Sequence, residues 1–250
     1  MKLAFGFFGL ALLAGCNHLG TSHRTSVGSD GVEVTIDGGE VIKGSGKQAP
    51  NSLKIASFSK VRIDFPAIVT IEKGAPSAMV TADDNLLPFL ECKVEGNELV
   101  FHGTKNMHME KMPTLRLTGE GIEAIYASGA CQLTANSGLA RRLDVNLNGA
   151  TRFTLKGEFD QLGARLTGAS KLTASGAATD LQLEVDGSSR VEAADLRSKT
   201  AKVEANGASN VEITVAEALT AEASGASSVS YVGSPKVTED TSGASSITKR

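Results

Sequence analysis

His102 and the stretch from Asn106 to Met112 hold the densest set of soft donors in the chain. Three of the five methionines and two of the four histidines fall within residues 102–112. Thioethers beside imidazoles suit Cu(I) or Ag(I), so His102, Met107, His108 and Met109 are the candidate metal ligands. The competing reading is a loop or edge strand whose methionines pack as adaptable apolar filler. Carboxylate pairs come next, for cleavage of an acidic polysaccharide with a basic partner: Asp83 with Asp84, and Glu239 with Asp240. Neighbours in sequence point to opposite faces of a strand, and Asp83-Asp84 better suit the start of a helical turn through Asn85-Leu86-Leu87-Pro88. Serine is abundant, but no Gly-x-Ser-x-Gly elbow stands between a strand and a helix. Gly44-Ser45-Gly46-Lys47 imitates a phosphate loop, yet Val41 stands where that loop needs its first glycine, and Ala49-Pro50 stop any following helix. No catalytic residue and no cofactor are expected.

The elements that must position these groups are written in a repeat. SGACQL, NGATRF, TGASKL, DGSSRV, NGASNV, SGASSV and SGASSI recur with glycines at Gly129, Gly149, Gly168, Gly187, Gly207, Gly225 and Gly243. A period of 18–20 residues means stacked coils. With each glycine as position zero, −4 and −2 are mostly apolar or small, −3 is mostly polar, +3 is always polar and +4 is always apolar. Alternation on both sides of a glycine bend predicts two short strands per coil, each with one face inward. The fold class is therefore all-β, a single-stranded parallel β-helix. The small hydroxyl residues at +2 are expected to form an axial column, bonding neighbour to neighbour.

Three sites follow from that register. Cys131 takes the +2 place held elsewhere by Thr151, Ser170, Ser189, Ser209, Ser227 and Ser245, and a disulfide with Cys92 stays open, since sequence alone does not bring the two together. Arg152, Lys171 and Arg190 share +3 on successive coils, a basic column able to face lipopolysaccharide phosphates or an acidic glycan. Glu184, Glu204 and Glu222 share −3. The plain reading of both columns is solvated faces that discourage lateral association. Earlier in the chain, residues 53–71 alternate in the same way with Phe65 in the glycine's place, a degenerate first coil.

The N-terminus reads as an export signal: Lys2, then an apolar run over residues 3–13 too short to span a bilayer. Leu13-Ala14-Gly15-Cys16 resembles the lipobox of bacterial lipoproteins, in which the Cys16 thiol would receive the lipid. Asn17, rather than Asp, favours the outer membrane. The expected organisation is a signal peptide over residues 1–15, a lipid-anchored Gly/Ser-rich linker over 16–50, and the β-helix over 51–250. The membrane is then a partner through the N-terminal lipid. A net charge of −3 with both signs scattered gives no nucleic-acid footprint. Two tyrosines and no tryptophan count against an aromatic sugar-stacking platform.

Gly44-Ser45-Gly46, residues 58–74, Asp84-Asn85-Leu86-Leu87, Val94-Glu95-Gly96-Asn97-Glu98-Leu99 and the Gly-Ala/Ser repeats together resemble the head GIN domain family of auto-transporter adhesins, bacterial envelope proteins of unknown function. The resemblance covers about residues 41–250. It implies a right-handed parallel β-helix, exported and often lipidated, with no catalytic residues to carry over. The sequence departs at Phe65-Pro66, where the family carries a small Gly or Ser turn, which puts a bulge in the first coil. The function expected is a non-enzymatic envelope scaffold or adhesion-type module that meets a glycan, a lipid head group or another envelope protein. A carbohydrate-active enzyme and a soft-metal lipoprotein are the competing classes.

Overall fold

The computed structural model describes residues 14–18, 21–28, 31–35 and 40–250. The expected signal peptide lies outside the described residues except for Ala14 and Gly15, which begin the strand Ala14–His18. Seven glycine-cornered coils of about 19 residues stack as a β-solenoid. Before the corners, residues 124–127, 144–147, 161–166, 180–185, 200–205, 218–223 and 236–241 form one parallel sheet. Beyond the corners, residues 132–135, 152–155, 171–173, 190–193, 210–213, 228–231 and 246–249 form a second. Period-two alternation sends one side chain in two to the axis. Ile125, Val145, Leu183 and Val203 at −4 and Leu133, Phe153, Leu172, Val191, Val211 and Val229 at +4 are each no more than 2% exposed. Each such side chain contributes about 1.5–3 kcal/mol by burial.

The corner is fixed by two constraints at once. Gly187 has φ 76°, in the left-handed region. The amide of Ser188 donates to Gly168 O at 2.8 Å, which carries the inter-coil ladder through the bend. A Cβ on Gly187 would stand 2.6 Å from that same carbonyl oxygen. The +2 residues Thr151, Ser170, Ser189, Ser209 and Ser227 are buried, but their hydroxyls do not chain to one another. Thr151 Oγ1 donates to Asn148 O (2.9 Å) and Ser170 Oγ to Thr167 O (2.9 Å), while Ser227 Oγ donates to Ala205 O in the preceding coil (2.9 Å). Carbonyls left pointing inward at the bend are the better acceptors, so they take the protons.

The early coil expected over residues 53–71 is made by Lys60–Ile63 and Ile68–Lys73, while Leu53 ends the separate strand Gln48–Leu53; Phe65 occupies the glycine's place. Ile63 pairs with Ala127 and Ile68 with Gln132, so the bend holds the same number of residues in both coils and no bulge occurs. Phe65 turns inward and meets Phe101 edge-on, with 6.0 Å between centroids. The coil is out of sequence order in space. Lys60–Ile63 pairs with Glu98–Gly103 on one side and Ile122–Ala127 on the other. Ile68–Lys73 likewise lies between Thr114–Gly119 and Gln132–Ala135. The chain lays residues 98–119 beneath the first coil and then steps over it.

The two ends are closed differently. At the N-terminal end Leu90–Glu95, Ser77–Asp83 and Gln48–Leu53 run antiparallel and cover the stack. Within the segment expected as a tether, Gly31–Thr35 pairs with Met107–Met109, which also pairs with Ile42–Lys43. This small sheet buries Val32 and Val34 against the core. At the other end, the core positions of the last coil turn polar: Glu239 follows Ala221, Thr241 follows Ala223 and Lys249 follows Tyr231 in the ladders, and all three are exposed. Inward-pointing charge blunts an open sheet edge.

Candidate functional site

The methionine–histidine set does not converge. Met107 and Met109 are 0% and 1% exposed, and they point into the core under the small sheet. His108, between them, must point away, and it is half-buried on the other side. His102 sits on a different strand, with Nε2 3.6 Å from Glu91 Oε2. Methionine here is core filler, as the competing reading held. Among the described residues no three of His, Cys, Asp or Glu gather to hold a metal.

Cys92 and Cys131 are not joined. Cys92 stands beside Phe101, and the ladder from there runs through Ile63 to Ala127. That is three strand spacings, about 14 Å, before the bend that leads to Cys131. Burial pushes the Cys92 thiol up to about 11, which leaves it unreactive at neutral pH. Cys131 Sγ donates to Ser128 O (3.2 Å) and Phe65 O (3.3 Å), doing what the other +2 hydroxyls do. Cys16 lies on Ala14–His18.

The phosphate-loop mimic is a clasp. Ser45 N donates to Asn85 Oδ1 (2.9 Å), Ser45 Oγ to Asp84 Oδ1 (2.6 Å), Asn85 Nδ2 to Lys43 O (2.9 Å) and Asp84 N to Lys47 O (2.9 Å). The Ser45 hydrogen bond is the main reason that the Asp84 carboxyl lies below its ordinary range. Asp83 is buried, with Oδ1 accepting from Gln48 Nε2. Glu239 and Asp240 lie exposed on the last coil. Neither carboxylate pair faces a groove.

The basic column is formed. Arg152, Lys171, Arg190 and then Asn210 are direct neighbours in the ladder. Lys171 Nζ is held by Glu192 at 2.6 Å, and Arg152 and Arg190 stand exposed at the surface. Beside it at +5 runs a hydroxyl column, Thr70, Thr134, Thr154 and Thr173. The spacing along both columns is the strand spacing, about 4.8 Å.

A concavity lies on the other sheet, before the corners, and no sequence motif marks it. Its floor is Gly163, at −5, between Asp144 on one side and Gln182 on the other. Tyr126, Asn146, Arg165 and Glu184, from the −3 column, form the wall of a depression of about 290 Å³. A glycine in mid-strand marks either a bend or a place where another molecule approaches the backbone. That was the one available signal, and it becomes readable only once the register is known.

Residues 57–235 match the family described as putative auto-transporter adhesin, head GIN domain, and the chain belongs to that family. No curated protein matches the sequence. Solved structures with the same fold include a putative adhesin of Bacteroides fragilis (TM-score 0.77, 18% identity, covering 84% of this chain and all of that one). A putative adhesin of Parabacteroides merdae has TM-score 0.70 at 18% identity and covers 85% of this chain and all of its own. A putative lipid-binding protein of Parabacteroides distasonis has TM-score 0.69 at 18% identity and covers 84% of this chain and all of its own.

Proposed function

We propose that this member of the head GIN domain family is a non-enzymatic, adhesion-type binding module of the cell envelope, tethered to the outer membrane by lipid on Cys16. Its binding face is the sheet that carries Arg152, Lys171 and Arg190. The observation that supports this is the register: three cations in one column on successive strands, flanked by a threonine column. Such a surface meets repeated anionic groups, the phosphates of lipopolysaccharide or the acids of an envelope glycan, at many weak points rather than one deep one. Adhesin and lipid-binding names among the structural neighbours agree with a surface role.

Binding of the purified chain to lipopolysaccharide, measured against salt, tests the face. An Arg152→Ser/Lys171→Ser/Arg190→Ser variant should bind at least about tenfold more weakly and with a flatter salt dependence. Equal binding by the two proteins removes the face from the reading. Labelling with palmitate in Cys16→Ser cells tests the anchor, and protease shaving of intact cells tests exposure. Protection of the domain from protease counts against adhesion to an outside partner.

A further inference from the structure

The depression over Gly163 combines a missing side chain with a ring of hydrogen-bonding groups on the outer surface. Its walls are held in place by the protein itself. Arg62 lies over the Tyr126 ring at 4.9 Å and is anchored in turn by Glu98 at 3.0 Å. Arg165 is paired with Glu184. Gln182 Nε2 donates to Asp180 Oδ2 at 2.8 Å. Asp144 and Asn146 also line the depression, and no side-chain hydrogen bond or ion pair ties either to the other described residues. The Asp144 carboxylate leans over the glycine, 2.7 Å from where a Cβ would stand.

We infer that this depression is a recognition subsite for one neutral hexopyranose residue of a glycan. The lining is mostly polar, with Val145 and Ala164 as its apolar members, which disfavours an acyl chain or an apolar ring as occupant. Planar amides, carboxylates and a guanidinium each take two hydroxyls at once, and vicinal hydroxyls on a pyranose supply such pairs. Two carboxylates, Asp144 and Glu184, against one guanidinium, Arg165, disfavour a phosphate or a uronate. A volume of about 290 Å³ is at the lower end for small-molecule sites, which run from about 300 Å³, and this suits one sugar ring. The open shape sets the affinity at about millimolar for a single unit. Repetition of the ligand along a polymer raises it. The subsite lies on the opposite side of the glycine corner from the basic column and works independently of it.

The test uses methyl glycosides of glucose, galactose, mannose and N-acetylglucosamine, with methyl glucuronide as the anionic control, read by saturation-transfer NMR on the purified full chain. At least one neutral glycoside should bind at about millimolar concentration, and the glucuronide at least about tenfold more weakly. Gly163→Gln refills the column between Asp144 and Gln182 without touching the core, so it should abolish binding while the urea midpoint stays in place. Asp144→Ala/Asn146→Ala should do the same with the depression left open. The inference is overturned if none of the four neutral sugars binds at tens of millimolar, or if binding survives Gly163→Gln. The Arg152→Ser/Lys171→Ser/Arg190→Ser protein should keep the sugar signal. Loss of lipopolysaccharide binding there, with sugar binding intact, separates the two readings.

Discussion

Gly187→Ala should cost far more than a Gly→Ala change at an equally left-handed glycine with open space, and Gly96 supplies the control. Gly96 has φ 63° and nothing within 4 Å of its missing Cβ. Alanine there pays roughly 1–2 kcal/mol of left-handed strain and recovers about 0.4–1 kcal/mol from a stiffer unfolded chain, a net loss of about 1 kcal/mol. Gly187 has the same strain, but its Cβ would also stand 2.6 Å from Gly168 O, the acceptor of the Ser188 amide. Relief of that clash parts the coils and breaks the bond, a backbone shift that costs about 1–3 kcal/mol more. The expected losses are about 3 kcal/mol for Gly187→Ala and about 1 kcal/mol for Gly96→Ala. Urea unfolding gives the totals, and hydrogen exchange at the Ser188 amide gives the local effect. Losses equal within about 0.5 kcal/mol, or an unchanged Ser188 amide, would refute the claim that stacking, and not only φ, dictates glycine at the corners.

Cys131→Ser should change thermal stability by less than about 1 kcal/mol, because a hydroxyl serves the Ser128 and Phe65 carbonyls as the thiol does; Cys131→Val should be clearly worse, with both left unserved. The Asp84 carboxyl is lowered in the folded state, so its contribution is fully present above the ordinary carboxylate pKa and fades as pH falls through the lowered value. The stability gap between wild type and Asp84→Asn should therefore close on acidification, and a gap that is constant from neutral to strongly acid pH would contradict this. Glu239→Val/Lys249→Ile should extend the apolar column to the last coil and cause concentration-dependent association in sedimentation velocity; a variant that sediments like wild type at all concentrations would show that these charges do not guard the edge.

The coils were legible because the information is local and repeated. A bend residue, a glycine and period-two alternation recur at one interval, and strands about 4.8 Å apart need nothing else to stack. Even Phe65 could be aligned to the glycine. Its effect on the bend could not be read, because the inward ring is accommodated by Phe101, about 36 residues away. The spatial order of the first coils was not legible either: alternation marks residues 53–71 as a coil, but the antiparallel strands that follow decide which segment it lies beside. The methionines misled as a composition signal, since period two sends Met107 and His108 to opposite faces. The Gly163 depression joins residues 19 apart along the chain, and only the register places Asp144, Gly163 and Gln182 side by side.

The interleaved coil also decides how the molecule bears load. A regular solenoid pulled from one end unzips rung by rung, because its terminal strand is bonded on one side only. Here, once the outer N-terminal strands have given way, tension arrives at Lys60–Ile63, which is hydrogen-bonded along both edges, to Glu98–Gly103 and to Ile122–Ala127. Two ladders must then yield together. Lys60–Ile63 lies one coil in from the N-terminal end, so a pull from that side is carried by a strand inside the stack and not by its rim.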